Sequence, residues 1–537
     1  MIYYLLYYHY ITLKRSNDDM TLYVSDLDGT LLNNAGKLTP RAADMLNCMT
    51  EGGTLFSYCT ARGLATAGKI TERLKLTAPI ALMNGVFVYD PLTGEYPVRN
   101  IFGAEQSSLL EQAILDNGET PMVFALIDGR ERVSYIKGAE NLKKHLAARR
   151  GDKRMRPLTS YSKMFDGEMY YAAFINPKNK SALDKIFTKE NGFSHTFYTD
   201  TYDTSQQWYE VFSSAAGKAD SVLKIKELTG ADELVCFGDN ANDIPMFEAA
   251  DRCYAVGNAI PELKKLADGV IGTNEELGVP EFIQSEVFPR QSYIPPEFDG
   301  VDEERFEQSV LKALERERTT IGTLNEKIIH HTLKCYYCDD PDQEVRIGDF
   351  YADGAGEHGI FEIQSANFGY LAKKLSQMLR VSHVTVVYPY EKKVHNYAIN
   401  GQTGEVMSVT SRTENSYSKL FLELYRLKAF LTNPNLTIRI AFLEIDKKFY
   451  YKDERKIRRR GMRKEKFPDA LLREIRLESP EDYRVFLPDG LPEQFTKAEF
   501  QKFCRPTDAS IMLSVLEFVG IVSRTGKKGN EILWSVK

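Results

Sequence analysis

The segment that most constrains the fold is an apolar stretch, Tyr23-Val24-Ser25, that runs directly into Asp26-Leu27-Asp28-Gly29-Thr30. A β-strand projects alternate side chains to the same side, so Asp26 and Asp28 can meet over one reaction centre where the strand ends in a glycine turn. Such a pair suits a nucleophile beside an acid–base group, or two oxygen ligands for Mg²⁺. The alternative interpretation is an Asp pair that caps the next helix.

Two further segments carry polar side chains where elements begin or end. A second apolar strand, Leu55–Cys59, leads into Thr60-Ala61-Arg62. A hydroxyl and a cation at the carboxyl end of a strand can hold phosphate oxygens, although Thr60 would serve equally well as a helix N-cap. Lys218 opens an amphipathic helix, where a lysine is either solvated or catalytic.

A third strand, Leu234–Gly238, ends at Asp239, and Asp243 follows four residues later. Neither His nor Cys lies next to these carboxylates in the segment that follows the strand. Because hard oxygen ligands suit Mg²⁺, and Zn²⁺ favours nitrogen and sulfur, the clustered carboxylates predict Mg²⁺.

Together these motifs resemble the haloacid dehalogenase-like (HAD) phosphohydrolase superfamily, and most closely its Cof-type sugar-phosphate phosphatases. The resemblance rests on Asp26–Leu31 as the first motif and on Gly238–Met246 as the fourth. Asn84-Gly85 and Gly257–Ala259 are similar to stretches of the same branch. The resemblance covers roughly residues 20 to 285, about half of the chain.

One departure from the family pattern concerns the second motif. The branch usually has Thr-Gly-Arg where this chain has Thr60-Ala61-Arg62. Alanine does not reach the positive φ that glycine allows, so we expect a different placement of the phosphate at this loop.

The resemblance implies a Mg²⁺-dependent phosphatase that acts through an aspartyl-phosphate. Asp26 would be the nucleophile, Asp28 the general acid and base, and Thr60 and Lys218 would bind the transferring phosphoryl group. The implied substrate-binding residues are Arg62, Asn84 and Asn242. The implied Mg²⁺ ligands are Asp26, Asp28 through its backbone carbonyl, Asp239 and the supporting Asp243.

Residues 86–210 lie between the second and third motifs and alternate short predicted strands and helices. An insertion of this size and position resembles the α+β cap of the Cof-type branch. Such a cap closes over the site, excludes water and selects the substrate through its loops. The sequence of the insertion does not name that substrate.

Composition and charge bound the remaining possibilities. A chain of 537 residues with 43% apolar residues predicts a soluble protein of two to four domains. A net charge of −6 argues against a generally basic coat for nucleic acid but not against a local basic patch. The opening Met1–Leu13 is apolar but too short to span a bilayer. We expect residues 1–19 to be a disordered extension ahead of a true start at Met20. We expect the protein to be cytoplasmic and to have no membrane partner.

After a proline-rich linker at 288–304, residues 305–480 have a constellation of their own. The order helix, strand over Glu344–Asp353, acidic turn, strand with Glu-x-Gln, helix, strand resembles the core of the PD-(D/E)xK nucleases. That resemblance implies a metal at Asp353 and Glu362, with Gln364 where the superfamily usually has lysine and Glu326 as a further acid. The alternative interpretations are surface acids on a hairpin, or a domain that binds nucleic acid without cutting it.

Two downstream features also favour nucleic acid. The segment 452–466, which includes Arg458-Arg459-Arg460, is strongly basic and would neutralise phosphates, although a solvated charge run explains it nearly as well. Residues 490–537 predict two helices and a hairpin, as in a winged helix, and Thr496 with Glu499 has the pattern of a capping box. Winged helices bind proteins as well as DNA.

The predicted fold class is α/β. A doubly wound, Rossmann-like HAD core at 20–85 and 211–287 would carry the α+β cap, and a nuclease-like α/β domain and a small winged-helix domain would follow. The first functional hypothesis is a phosphatase of a small phosphomonoester, either a sugar phosphate or a nucleotide. The alternatives are a nucleic-acid processing or defence factor, and a phosphatase with a non-catalytic binding module.

Overall fold

The computed structural model describes residues 20–199, 205–291, 300–319, 327–338, 344–347, 349–356, 358–451 and 463–537. Glu326, the extension at 1–19 and the part of the basic segment that contains Arg458-Arg459-Arg460 lie outside these residues. The chain divides into two compact units. The first is formed by Asp19–Thr50 and Thr54–Phe282, and the second mainly by Ile283–Lys537.

Strands and helices alternate through the first unit. Its first elements are β1 (Thr21–Ser25), α1 (Pro40–Glu51), β2 (Leu55–Tyr58), α2 (Leu64–Ile70), β3 (Ile80–Leu82), β4 (Phe87–Tyr89) and β5 (Val98–Arg99). The next are α3 (Ala104–Asp116), β6 (Met122–Ile127), β7 (Arg130–Ile136), α4 (Lys143–Ala148), β8 (Met155–Leu158), β9 (Glu168–Ile175), α5 (Lys180–Ile186), β10 (Phe193–Thr199) and β11 (Gln207–Ser213). The last are α6 (Lys218–Thr229), β12 (Glu233–Gly238), α7 (Ile244–Ala249), β13 (Arg252–Val256), α8 (Pro261–Leu266), β14 (Gly269–Ile271) and α9 (Gly278–Val287).

The core of the first unit is a parallel sheet of five strands in the order β14-β13-β12-β1-β2. Leu22 and Val24 of β1 are fully buried, as are Val235 and Phe237 of β12. Unbroken burial of this kind is typical of parallel strands that are covered on both faces. Because parallel neighbours end at the same edge, the residues that follow β1, β2 and β12 are brought side by side. The predicted α/β class with a Rossmann-type core is confirmed.

The inserted segment forms a mixed sheet of six strands in the order β10-β11-β9-β6-β7-β8. Leu110 and Ile114 of α3 and Leu183 of α5 pack in one apolar cluster with Phe174 of β9 and Val211 of β11. This is an α+β layer with a core of its own. β4 and β5 pair with β3 in a separate antiparallel sheet, so the six-stranded sheet begins at β6.

The second unit is built around a sheet with long central strands. Its elements are α10 (Glu303–Thr319), α11 (Lys327–Tyr337), β15 (Val345–Ile347), β16 (Phe350–Ala352), β17 (Gly354–Gly356), β18 (Gly359–Ile363), α12 (Phe368–Val381), β19 (Val384–Asn400), β20 (Val406–Thr413), α13 (Ser418–Arg426), β21 (Leu436–Tyr451) and β22 (Arg463–Leu477). The sheet order is β17-β18-β19-β21-β22, with β18, β19 and β21 parallel and β20 paired to β19.

One predicted strand of the second unit is wrong. In place of the single strand predicted over Glu344–Asp353, the structure has two short strands, β15 and β16, that pair antiparallel with each other. The physical reason is the turn at Asp349, a residue type that favours turns and that interrupts the β-branched and aromatic residues on either side.

The chain ends in a small three-stranded arrangement. Its elements are β23 (Gln494–Thr496), α14 (Lys497–Phe500), α15 (Ala509–Phe518), β24 (Val522–Lys528) and β25 (Glu531–Val536), with the sheet order β23-β25-β24. The predicted capping box is confirmed. The Thr496 backbone N–H donates to the Glu499 carboxylate at 2.7 Å, and the Glu499 N–H donates to the Thr496 hydroxyl at 3.3 Å.

Candidate active site

The centre of the site is a buried lysine between two carboxylates. Lys218 is the first residue of α6, and its Nζ donates to Asp26 Oδ1 and to Asp243 Oδ1, each at 2.6 Å. The side chain of Lys218 is 2% exposed and that of Asp243 is fully buried. Burial alone would lower the pKa of Lys218, but Asp243 and then Asp26 raise it well above its ordinary value. The ammonium therefore stays charged beside Asp26.

Asp243 also organises the loop that follows β12. Its second carboxylate oxygen accepts hydrogen bonds from the backbone N–H groups of Asp239 at 3.0 Å and Asn240 at 3.1 Å. Since its first oxygen accepts from Lys218, both oxygens of Asp243 are engaged. Asp243 therefore positions Lys218 and the Asp239 backbone.

Asp239 lies on the other side of the group, against the first motif. Its carboxylate accepts a hydrogen bond from the Thr30 hydroxyl at 3.1 Å. Gly29 has φ +79°, and a Cβ at this position would overlap the Asp239 carboxylate. Only glycine combines the positive φ with so close an approach. The Gly29-Thr30 pair thus permits the carboxylates that follow β1 and β12 to converge.

The acids at this edge form a group that a metal could join. One oxygen each from Asp26, Asp239 and Asp243 lies within 4.8 Å of the others, and this is the one such group of three among the described residues. Burial, and then the neighbouring Asp243, raise the pKa of Asp239 to about 7. Burial also raises the pKa of Asp26, and Lys218 opposes that shift. Three carboxylates lie around one buried lysine, so a cation bound among them would be electrostatically favourable.

Asp28 faces a different partner. Arg62 donates from Nε to Asp28 Oδ2 at 2.7 Å and from Nη2 to Asp28 Oδ1 at 2.5 Å, a two-pronged pair that fixes the carboxylate plane. The Asp28 carboxylate is therefore held by Arg62, whereas the Asp26 carboxylate is held by Lys218. Its backbone carbonyl, which the family resemblance assigns to the metal in the case of Asp28, is a separate group from this carboxylate.

Thr60 follows β2 at the same edge and is almost completely buried. Its hydroxyl oxygen accepts a hydrogen bond from the Arg62 backbone N–H at 3.2 Å, so its proton is directed elsewhere. Ala61 is exposed and is not among the described residues with positive φ. The loop therefore does not require glycine at position 61.

The two predicted substrate-binding asparagines differ. Asn84 is buried, has φ +55° and is anchored by its backbone N–H to the Thr60 carbonyl at 3.0 Å. Its side-chain oxygen accepts no hydrogen bond from any described residue. Asn242 is exposed in the short turn Ala241–Asp243. The structure brings Asn84 towards the site from β3 but gives Asn242 no contact that would test its role.

A cavity of about 380 Å³ opens from Asp28 and Arg62 into the inserted segment. Its other walls include Phe124, Tyr171 and Trp208, three aromatic side chains from the six-stranded sheet. Sequence reasoning missed its charged residues. They are Glu131, Arg149, Arg154 and Glu210. Arg149 and Arg154 lie in one charged loop, and Glu131 and Glu210 lie on two strands, without a pattern that marks any of them as part of a cavity.

The second unit has a cavity of about 630 Å³ at the predicted nuclease-like residues, lined by Asp353, Glu362 and Gln364. Asp353 Oδ1 lies 3.0 Å from His330 Nε2, and Asp353 Oδ2 accepts the Ile363 backbone N–H at 2.9 Å. Both of its oxygens are therefore engaged. The Gln364 amide donates to the Ala366 carbonyl.

Lys374 places a cation next to the Glu362 carboxylate. It lies on α12, and its Nζ donates to Glu362 Oε2 at 2.6 Å. Burial, and then Asp353, raise the pKa of Glu362 to about 7, although Lys374 opposes the shift. The signal that could have found this residue is the Lys373-Lys374 pair on the helix after Glu362. Glu326, the remaining predicted member, lies outside the described residues.

The two halves of the chain match different family models. A family model described as haloacid dehalogenase-like hydrolase matches residues 23–283. Residues 23–283 belong to the haloacid dehalogenase-like hydrolases. The predicted family and its enzyme class, a HAD-type phosphatase, are confirmed. Residues 327–478 match the model of a domain of unknown function (DUF8091).

The HAD domain is similar over its whole length to curated phosphatases. The 5-amino-6-(5-phospho-D-ribitylamino)uracil phosphatase YwtE of Bacillus subtilis is 24% identical over 278 residues, which cover 48% of this chain and 95% of YwtE. The pyridoxal phosphate phosphatase YbhA of Escherichia coli is 25% identical over 270 residues, which cover 48% of this chain and 96% of YbhA. A solved haloacid dehalogenase-like hydrolase from Bacteroides thetaiotaomicron matches with a TM-score of 0.42 and 19% identity, over 50% of this chain and 99% of that one.

No helix in the described ranges combines the length and the apolar character that crossing a membrane requires.

Proposed function

We propose that the HAD domain hydrolyses a small phosphomonoester with Asp26 as the nucleophile. The observation that carries the proposal is the Lys218 ammonium held 2.6 Å from Asp26 and from Asp243, beside Asp239. Phosphoryl transfer depends mainly on positioning and on neutralising the oxygens of the transferring group. A fixed ammonium beside a buried carboxylate supports both requirements.

Mg²⁺ is the metal that suits this donor set. The converging groups are carboxylate oxygens without nitrogen or sulfur, and they outnumber the one buried cation. We propose that Asp26, Asp239 and the Asp28 backbone carbonyl hold the ion, with Asp243 supporting them through the Asp239 backbone. Bound Mg²⁺ would neutralise charge on the phosphoryl oxygens.

The proposed chemistry has two steps that share the same residues. Asp26 attacks phosphorus, the bond from phosphorus to the leaving-group oxygen breaks, and Asp28 gives that oxygen a proton. Water then attacks phosphorus in the aspartyl-phosphate while Asp28 takes its proton, and phosphate leaves Asp26. Asp26 Oδ1 accepts from Lys218, which leaves Oδ2 for the attack. Thr60 and Lys218 bind the phosphoryl oxygens, and Arg62 orients Asp28.

Substrates of this kind are small. Two relatives are by name phosphatases of a ribitylaminouracil phosphate and of pyridoxal phosphate. We propose that the core spans 20–85 and 211–287, that the cap spans 86–210, and that the cavity of about 380 Å³ takes the leaving group. A cavity of this size suits a substrate of sugar-phosphate or nucleotide dimensions. Asn84 would add a polar contact near the phosphate.

The test is phosphate release by the full-length protein from aryl phosphate, sugar phosphates, nucleotides and pyridoxal phosphate, with Mg²⁺ and with a chelator. We expect Mg²⁺-dependent release that Asp26→Asn abolishes and that the exposed control Asp116→Asn keeps. Full turnover by Asp26→Asn would remove the aspartyl-phosphate mechanism. No release from any substrate would overturn the phosphatase proposal.

A second candidate function concerns the DUF8091 region, for which we propose metal-dependent cleavage of phosphodiesters. Support comes from the Lys374–Glu362 hydrogen bond in a large cavity that also contains Asp353 and Gln364. Arg412 and Lys419 line the same cavity and suit a polyanionic strand. The metal would need Gln364 or a further ligand besides the two carboxylates.

The test for this second function uses full-length protein with Asp26→Asn, so that end phosphates are preserved. We expect Mn²⁺- or Mg²⁺-dependent cutting of plasmid DNA or single-stranded RNA. Glu362→Gln and Lys374→Met would stop it, and the exposed neighbour Lys373→Met would not. Salt-sensitive binding without cutting would favour a binding-only module. If the protein neither cuts nor binds these nucleic acids, the second unit is better described as a non-catalytic module of the phosphatase.

A further inference from the structure

The cavity next to Asp28 is lined by charged side chains of both signs. Three guanidinium groups line it, those of Arg62, Arg149 and Arg154. Three acidic side chains line it as well, those of Asp28, Glu131 and Glu210. How these groups pair decides which of them is available to a substrate.

Two of the arginines are held by acids. Arg62 makes its two-pronged pair with Asp28. Arg154 donates to Glu131 at 3.1 Å and to Asp152 at 2.8 Å. Their hydrogen bonds are directed to these carboxylates, so both guanidinium groups are neutralised within the protein.

The third acid of the cavity does not neutralise an arginine. Glu210 is buried on β11 and accepts a hydrogen bond from the Thr196 hydroxyl at 3.2 Å. Burial raises the pKa of Glu210, and the hydroxyl groups around it oppose the shift. Glu210 is therefore a polar group of the wall with hydroxyl partners.

Arg149 is the arginine of the cavity that no acid holds by a hydrogen bond among the described residues. Its guanidinium forms no hydrogen bond or ion pair with any residue that the structure describes, although it lines the cavity and is half-buried. Burial, and next the charge of Arg154, lower the pKa of Arg149; the charges of Asp152 and Glu131 oppose the shift without an ion pair to Arg149, and the charge of Arg62 adds to it. An unpaired cation beside two other guanidinium groups is a costly arrangement that an anion would relieve.

We propose that Arg149 binds a second anionic group, carried on the leaving group of the phosphomonoester, and thereby selects substrates that are anionic at both ends. The proposal rests on the proposed phosphatase function and adds the chemical class of its substrate. Asp28 lines the cavity beside the proposed reaction centre, and Arg149 lines it from the loop after α4. The transferring phosphoryl group has Lys218 and Thr60, so the ligand of Arg149 is a carboxylate or phosphate carried elsewhere on the substrate.

The probe is a matched pair of aryl phosphates, 4-carboxyphenyl phosphate and its neutral analogue 4-carbamoylphenyl phosphate. Aryl groups suit the walls formed by Phe124, Tyr171 and Trp208. We expect the full-length enzyme with Mg²⁺ to prefer the carboxylate by about tenfold or more in kcat/KM, because hydrogen bonds to a charged group have this strength. Arg149→Met should remove that preference, so that kcat/KM becomes equal for the two probes.

The neighbouring Arg150 provides a matched control. It is exposed and lines a second, open depression that Arg149 also borders, but it does not line the cavity next to Asp28. Arg150→Met makes the same change of charge and should keep the preference. Equal kcat/KM for the two probes, a preference that survives in Arg149→Met, or a preference lost equally in Arg150→Met would overturn the proposal. Hydrolysis of neither probe would instead count against the phosphatase function itself.

Discussion

The Lys218 ammonium lies 2.6 Å from the Asp26 carboxylate although the two residues are 192 positions apart in the sequence. Lys218 starts a helix that follows the inserted segment, and Asp26 comes directly after the first strand, β1. The inserted segment therefore separates the two members of this ion pair along the chain. Since both groups are buried, each one makes the burial of the other tolerable.

Replacement of Lys218 by methionine tests that dependence. Two buried carboxylates would lose their cation, and breaking a buried pair in this way costs about 3–5 kcal/mol of the free energy of unfolding. We expect Lys218→Met to be strongly destabilised and inactive. The measurement is denaturant unfolding together with phosphate release.

Two companion variants separate charge from packing. Lys218→Met with Asp243→Asn should regain part of the stability without activity, because one unpaired charge is gone. Lys224→Met on the same helix removes a lysine that pairs only with Glu227 at the surface, and it should change stability by less than about 1 kcal/mol. A Lys218→Met protein as stable as the wild type would contradict the buried-pair interpretation.

Arg62 offers a second prediction, because it fixes the plane of the Asp28 carboxylate. Without the two-pronged pair, Asp28 would deliver its proton less effectively, and general acid help is worth about 10²–10⁴-fold. We expect Arg62→Met to lower kcat by about tenfold or more and Asp28→Asn to lower it further. Arg73→Met, which removes an exposed arginine from its loose 3.8 Å contact with Asp44, is the control. Unchanged kcat in Arg62→Met would assign Arg62 to binding alone.

Gly29 is the subject of a third prediction. Alanine at this position would be strained by φ +79° and would press its Cβ against the Asp239 carboxylate. We expect Gly29→Ala to raise the Mg²⁺ concentration needed for half-maximal activity. We also expect it to lower activity by about tenfold or more, since small misplacements at a reacting centre are costly. Gly53→Ala has the same backbone strain at φ +95° but meets no atom, so it controls for strain alone. Activity curves against Mg²⁺ concentration distinguish the two effects.

The sequence was sufficient for the parts of the site that depend on strand ends. Asp26 and Asp239 each follow a buried apolar run, and parallel pairing brings the ends of such runs together. The acids at these ends and Lys218 converge as expected, although their catalytic roles remain predictions. A local pattern thus predicts a long-range arrangement whenever the fold class supplies the register.

The remaining features depend on tertiary structure that no local pattern encodes. Arg149 and Arg154 lie in one charged loop, and only the fold of the inserted segment shows that Arg154 pairs with Glu131 and that Arg149 lacks such a pair among the described residues. Lys374 reaches Glu362 from a helix, so the strand spacing that points to Gln364 cannot find it. Asp28 pairs with Arg62, a contact set by the loop after β2.

The last prediction concerns acid stability of the second unit and uses Glu391. Burial would raise the pKa of Glu391, but hydrogen bonds from Lys447 and Lys466 lower it to about 2. A carboxylate with a depressed folded pKa contributes stability above its unfolded pKa and loses it as the pH falls through the folded value. We expect the wild type to lose about 2 kcal/mol more than Glu391→Gln between about pH 5 and about pH 3, measured by denaturant unfolding. Glu405→Gln, an exposed glutamate of the same sheet region, should follow the wild-type curve. A Glu391→Gln protein with the wild-type pH dependence would show that Lys447 and Lys466 do not stabilise the ionised carboxylate.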